Sequence, residues 1–119
     1  MKIILVKTDN TYEVKDVDDV SKVLNGWMEI VSPKAAYRDN LLLWSNVFVC
    51  DEEGHPKGLK ENWFGTLLYN GLKPAEMVYL IVGDIFLIGV HGEDFRGLTD
   101  DEIEYYVELL ETVNIRRAV

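Results

Sequence analysis

The stretch GLTDDEIEYYVELLETV, residues 97–113, decides how the fold ends. Thr99 and Glu102 have the spacing of a capping box, in which each side chain bonds the backbone N–H of the other residue. The two aspartates between them place negative charge in the first turn, where the helix dipole favours it. The pattern predicts a C-terminal helix over residues 99–113.

This helix has an apolar and an acidic side. Its apolar stripe, which must pack against the rest of the chain, comprises Ile103, Tyr106, Val107, Leu109, Leu110 and Val113. The opposite side, called the acidic ridge below, consists of Asp101, Glu104, Glu108 and Glu111. No Lys or Arg occurs from Gly97 to Ile115 to neutralise it. Tyr105 lies on the flank nearest Glu108, where it is either an exposed interface residue or a partly buried flank of the core.

Composition restricts the possible classes of protein. The chain has 119 residues, 48% of them hydrophobic, and a formal net charge of −9. The length suits one domain over residues 1–119. The charge argues against direct binding to nucleic acid or to anionic membranes and favours a basic partner. The single Cys50, and a start without a signal-peptide pattern, predict a cytoplasmic protein.

Short β-rich runs dominate the first 90 residues. Strands are expected at residues 2–7, 11–17, 27–31, 47–50, 77–82 and 85–90. Three helices are expected. The first is about two turns long and is capped by Asp18 or Asp19, and the others span residues 60–70 and 99–113. We therefore predict an α+β fold: one mostly antiparallel sheet of five to six strands, with two or three helices packed on one face. Both sides of the first strand are apolar, which predicts a central position.

Two segments admit more than one interpretation, and two others are predicted to be loops. Residues 41–44 are apolar without a period, and an extended conformation is preferred over a buried helix. Gly83-Asp84 is either a hairpin turn or a bend in one strand. Residues 34–40 and 93–96 are predicted to be loops.

A set of short features recurs in a recognisable order. They are Asp51-Glu52-Glu53-Gly54, Lys57-Gly58-Leu59, Asn62, Leu68-Tyr69, the apolar run 78–82 and Gly97-Leu98-Thr99-Asp100-Asp101-Glu102. In this order they resemble a family of small uncharacterised proteins, a domain of unknown function, carried by bacteriophages, prophages and mobile elements. The resemblance implies no activity. It implies an accessory protein of a mobile element, for which host factors are plausible targets.

No group of residues has a catalytic or metal-binding signature. His91, Glu93 and Asp94 could hold a cation or move protons, but no second His lies within motif distance, so a solvated turn is preferred. Cys50 lies in an apolar run and is expected to be a core residue rather than a nucleophile. We expect no catalytic residue, metal or cofactor.

The acidic ridge supports the main functional hypothesis. Its carboxylates are one turn apart, about 5 Å, so the helix can imitate a row of DNA phosphates and occupy the basic surface of a host protein. A solvated outer face is the simpler interpretation. An alternative class is a nucleotide-signal binder that uses Lys34, Arg38 and Arg96. An uncharacterised enzyme is a third, and homodimerisation through Trp63, Phe64 or an open sheet edge is also possible.

Overall fold

The computed structural model describes residues 1–32, 45–71 and 79–118. Within them the chain forms a seven-stranded sheet, two α-helices and one 3₁₀ turn. The strands are β1 (Lys2–Val6), β2 (Thr11–Asp16), β3 (Met28–Val31), β4 (Asn46–Asp51), β5 (Ile85–His91), β6 (Asp94–Arg96) and β7 (Arg116–Arg117). The helices are α1 (Trp63–Tyr69) and α2 (Asp100–Thr112), and the 3₁₀ turn is Val20–Lys22. The predicted α+β class is confirmed.

The strands lie in the order β3-β4-β5-β1-β2-β7, and β6 pairs with the end of β5. Every pair is antiparallel except β2 with β7, so the sheet is mostly antiparallel, as predicted. The predicted count of five to six strands is too low. The two additional strands, β6 and β7, have three and two residues and are too short to show a hydrophobic period.

β1 lies between β5 and β2, which confirms its predicted central position. Ile4 pairs with Val14 on one side and Leu87 on the other. Ile4 and Val6 face the helices, whereas Ile3 and Leu5 belong to a second apolar cluster. All four side chains are buried because both faces of the sheet are covered.

Two apolar clusters flank the sheet. The first contains residues of both α-helices, including Phe64, Leu68, Tyr106 and Leu110, so the helices pack on one face as predicted. The second includes Phe86 of β5 together with Val20 and Leu24, from the segment around the 3₁₀ turn. That segment was expected to form a helix of about two turns and is a single 3₁₀ turn capped by Asp19, so helical content is lower than predicted.

The predicted helix over residues 60–70 begins too early. Lys60 and Glu61 are held extended, since the Lys60 carbonyl accepts a 2.7 Å hydrogen bond from the Gly83 N–H and Glu61 forms an antiparallel bridge with Val82. α1 begins at Trp63 because the Asn62 side chain caps it.

The Gly83-Asp84 pair is a bend and not a hairpin turn. The described residues before the bend, 79–82, form no ladder with β5. Val82 forms a bridge with Glu61 instead. Gly83 has φ +79°, a conformation that favours glycine. The strand expected at residues 77–82 is therefore absent over its described part. The predictions for residues 34–40 and 41–44 lie outside the described residues.

Residues 94–96 and the start of β3 also differ from the sequence prediction. Residues 94–96, expected in a loop, form β6 and complete a hairpin with β5 through a turn at Gly92, which has φ +63°. β3 begins at Met28, one residue later than expected.

Among the described helices none is long and apolar enough to cross a membrane.

Candidate functional site

The N-terminus of α2 has the predicted capping box. The Glu102 backbone N–H donates to Thr99 Oγ1 at 3.2 Å, and the Thr99 N–H donates to Glu102 Oε1 at 2.8 Å. Two of the helix's free N–H groups are thereby satisfied. The helix start is fixed by its own sequence.

Glu102 also lies at the centre of a buried polar network. Its carboxylate is only 2% exposed and accepts bonds from both terminal nitrogens of Arg96, at 2.7 and 3.1 Å. Asn46 Nδ2 donates to the same carboxylate, and Tyr106 Oη donates to Asn46 Oδ1 at 2.9 Å. Arg96 from the preceding strand and Asn46, 56 residues earlier in the chain, therefore meet at one carboxylate.

The ionisation of Glu102 follows from these contacts. Burial would raise the pKa of its carboxyl, but the hydrogen bonds from Arg96, the Thr99 backbone and Asn46 outweigh burial and lower the pKa to about 2. The same ion pair raises the pKa of Arg96. The pair is therefore fully charged at neutral pH and anchors the beginning of α2 to the sheet.

The other end of α2 is fixed by a Schellman motif. Asn114 takes a left-handed conformation with φ 66°, the Asn114 N–H donates to the Glu111 carbonyl, and the Ile115 N–H donates to the Leu110 carbonyl. The chain then continues into β7. In addition, Tyr12 Oη donates to Glu111 Oε1 at 3.0 Å, which ties the last carboxylate of the ridge to β2.

The acidic ridge lies on the outer side of α2. Asp101, Glu104, Glu108 and Glu111 are all exposed. At 100° per residue they fall within an arc of about 80°. None of the four forms an ion pair with a Lys or Arg among the described residues. The structure thus presents, on one side of a helix fixed at both ends, four carboxylates that have no basic partner in the part of the chain that it describes.

Tyr105 lies at the border of the ridge. Its side chain is half-buried, packs against the apolar cluster under the helices, and contacts the Tyr106 ring edge to face, with centroids 5.3 Å apart. Of the two sequence interpretations, the partly buried flank is the observed one. Tyr105 still borders the acidic surface and can contribute one edge to a contact.

The residues considered for nucleotide binding do not form a described site. Arg96 is committed to Glu102 and also donates to the Gly97 carbonyl at 2.9 Å. Lys34 and Arg38 lie outside the described residues. Of the two aromatic residues considered for a homodimer contact, Trp63 is exposed and Phe64 is fully buried.

The residues weighed for catalysis or metal binding occupy ordinary structural positions. Cys50 is buried in β4; burial, with the nearby charges of Glu29 and Asp51, raises its pKa to about 11, so its thiol stays protonated. His91 pairs with Asp94 in the β5–β6 hairpin. In the described part of the chain no group of three His, Cys, Asp or Glu side chains could hold a metal ion.

The run from Asp51 to Asn62, which carries much of the family resemblance, proves to be structural. Lys57 Nζ bonds Asp51 Oδ2 at 2.7 Å and the Asn25 carbonyl at 3.1 Å, closing the loop after β4. The fully buried Asn62 caps α1 and donates to the carbonyls of Val6 and Gly83, each at 3.0 Å. Sequence reasoning did not assign these roles, although an Asn directly before an apolar helix is a signal for an N-cap.

These features define a single α+β domain with an acidic, solvent-facing C-terminal helix. A family model matches residues 1–111, and the chain belongs to that family, described as Domain of unknown function (DUF3846). The match includes both strands of the N-terminal hairpin and nearly all of α2, and it ends before β7. No curated protein and no solved structure matches the sequence.

Proposed function

We propose that this protein is a non-catalytic accessory protein of a phage or mobile element that binds a basic, DNA-binding host protein through the acidic ridge. The observation that supports the proposal is the exposure of all four ridge carboxylates on one side of α2, without a basic partner among the described residues. A basic surface on another protein supplies the complementary charge.

The charge density of the ridge suits a DNA-binding surface. From Asp101 to Glu111 the helix rises about 15 Å. One strand of duplex DNA carries about four or five phosphates over that length. The ridge carries four carboxylates over the same distance, so it can replace a short row of phosphates in a basic groove.

The attachment of α2 favours such binding. The Arg96–Glu102 pair fixes the start of the helix and the Tyr12–Glu111 bond fixes its end. A preformed acidic face loses little conformational freedom on binding, and the net charge of −9 accelerates encounter with a basic partner. Affinity is expected to fall as salt concentration rises.

The test compares the wild type with the double variant Glu104→Lys/Glu108→Lys. Both proteins are used as bait in host lysate at low and high salt, and a captured DNA-binding protein is then purified and mixed with its DNA. The wild type should displace the DNA in a mobility-shift assay, and the double variant should not. Glu111 is left intact because it bonds Tyr12.

A matched control carries the same change in net charge elsewhere. Asp18→Lys/Glu93→Lys alters two exposed carboxylates outside α2. If this control fails to displace the DNA as completely as the ridge variant fails, then the net charge and not the ridge is responsible for the displacement. A captured partner that binds all three proteins equally contradicts the proposal.

A further inference from the structure

A small cavity lies between the β3–β4 edge of the sheet and residues 79–82. Its volume is about 160 Å³, and no residue of α2 lines it. Pockets that enclose a whole drug-sized ligand measure roughly 300–1,000 Å³. This cavity therefore has room for one small head group and not for a nucleotide.

Aromatic rings form one wall of the cavity. Tyr69 and Tyr79 lie with ring centroids 5.0 Å apart at an interplanar angle of 39°, and His55 meets Tyr79 edge to face at 5.7 Å. His55 Nε2 is 2.9 Å from the Leu80 carbonyl oxygen, which holds the imidazole against this segment. The Tyr79 ring is thus positioned before any ligand arrives. Faces of tyrosine rings attract cations.

Acidic side chains border the same cavity. Glu29 and Glu52 are among its lining residues, and both are exposed. Glu29 lies opposite Cys50 in the β3–β4 ladder. No Lys or Arg is found among the described lining residues. Asp51 also borders the cavity, but its carboxylate is neutralised by Lys57. Carboxylates beside aromatic rings favour a positively charged ligand.

The buried wall supplies a further polar atom. The Cys50 side chain lines the cavity, is 6% exposed, and forms no side-chain hydrogen bond with another described residue. A protonated thiol is a small, weakly polar surface. It admits the apolar carbons around a cationic centre without repelling the charge.

We propose that this cavity binds the head group of an organic cation, an ammonium or guanidinium group that contacts the tyrosine rings and the carboxylate of Glu29. The group comes either from a free small molecule or from a Lys or Arg side chain of another protein. The proposal concerns a different part of the molecule from the acidic ridge and does not depend on the ridge's function.

The test is an NMR titration of the full chain, followed through the aromatic resonances of Tyr69, Tyr79 and His55. The probes are tetramethylammonium, N-acetyl-arginine-methylamide and N-acetyl-lysine-methylamide, with tert-butanol as a neutral ligand of similar shape to the first. We expect saturable shifts with at least one cation and none with tert-butanol. Binding of tetramethylammonium alone indicates a small-molecule source, whereas binding of an amino-acid amide indicates a side chain.

Variants connect binding to the named residues. Tyr79→Leu removes a ring face and should weaken binding about 2- to 30-fold, the range expected for one cation–π contact. Tyr79→Phe retains the ring and should bind as the wild type does. Glu29→Gln should weaken binding and reduce its salt dependence, whereas Glu93→Gln, an exposed carboxylate in the β5–β6 turn, should change neither.

Three results would overturn the proposal. These are the absence of saturable shifts with every cation, equal shifts with tert-butanol, and undiminished binding by a folded Tyr79→Leu variant. If Tyr79→Leu unfolds, the comparison of Glu29→Gln with Glu93→Gln decides. Equal affinity of these two variants for the cation then counts against the cavity.

Discussion

Glu102 and Glu104 lie two residues apart on α2 and have opposite environments. Glu102 is buried and is bonded by Arg96, Asn46 and the Thr99 backbone. Glu104 is exposed and pairs with no basic group among the described residues. Identical side chains on one helix therefore serve different purposes: one joins the helix to the sheet, and the other gives the surface its charge.

The difference follows from where each residue lies around the helix axis. Glu102 is on the side that contains Tyr106 and Leu110, whereas Glu104 lies about 200° away. A carboxylate on the buried side is tolerated because two charge-assisted hydrogen bonds from a guanidinium compensate the loss of water. A carboxylate on the outer side keeps its water and needs no partner.

The largest expected effect is the loss of the buried carboxylate. Glu102→Ala should lower the free energy of unfolding by about 3–5 kcal/mol, because it leaves a partly buried Arg96 without its partner. Urea denaturation at neutral pH measures this loss. The matched control, Glu104→Ala, should change the free energy of unfolding by less than about 0.5 kcal/mol. Similar losses in the two variants would remove the distinction between the two sides of the helix.

The second-largest expected effect is a loss of stability in acid, where the buried Glu102 carboxylate becomes protonated. The pKa of Glu102 is lowered from 4.5 to about 2 in the folded protein. Its contribution to stability is therefore complete above about pH 4.5 and is lost as the pH falls toward 2. The loss is on the order of 3 kcal/mol.

Urea denaturation between pH 6 and pH 2 separates this contribution from that of other carboxylates. Asp51 and Glu13 also have lowered pKa values, but they are present in both the wild type and Glu102→Gln. The stability of Glu102→Gln should depend less steeply on pH in this range. Parallel pH profiles would show that Glu102 is not the group that titrates.

The smallest expected effect lies on the acidic ridge. The double variant Glu104→Gln/Glu108→Gln removes a like-charge pair four residues apart. Its free energy of unfolding should therefore equal that of the wild type or exceed it by less than about 0.5 kcal/mol, which thermal denaturation measures. The gain should disappear at high salt. A marked loss of stability would mean that the ridge supports the fold, and it would weaken the case for a binding surface.

Local signals predicted the features that depend on neighbouring residues. The capping box at Thr99 and Glu102 and the apolar stripe of α2 were readable because every partner lies within a few residues. The central position of β1 was readable because both of its sides are apolar. The start of α1 was misplaced by three residues, since Glu61 is held by Val82 across the fold.

By itself, then, the sequence determined the α+β class, the N-terminal cap and apolar stripe of the last helix, and the presence of an acidic ridge, because each depends on spacing along the chain. Only the tertiary structure decided that Arg96 is the partner of Glu102, that Asn46 completes their network from 56 residues away, and that β6 and β7 join the sheet. These features depend on which side chains and strands meet in the folded chain, and the hydrophobic period and charge pattern do not specify that, even for Arg96, which is only six residues from Glu102.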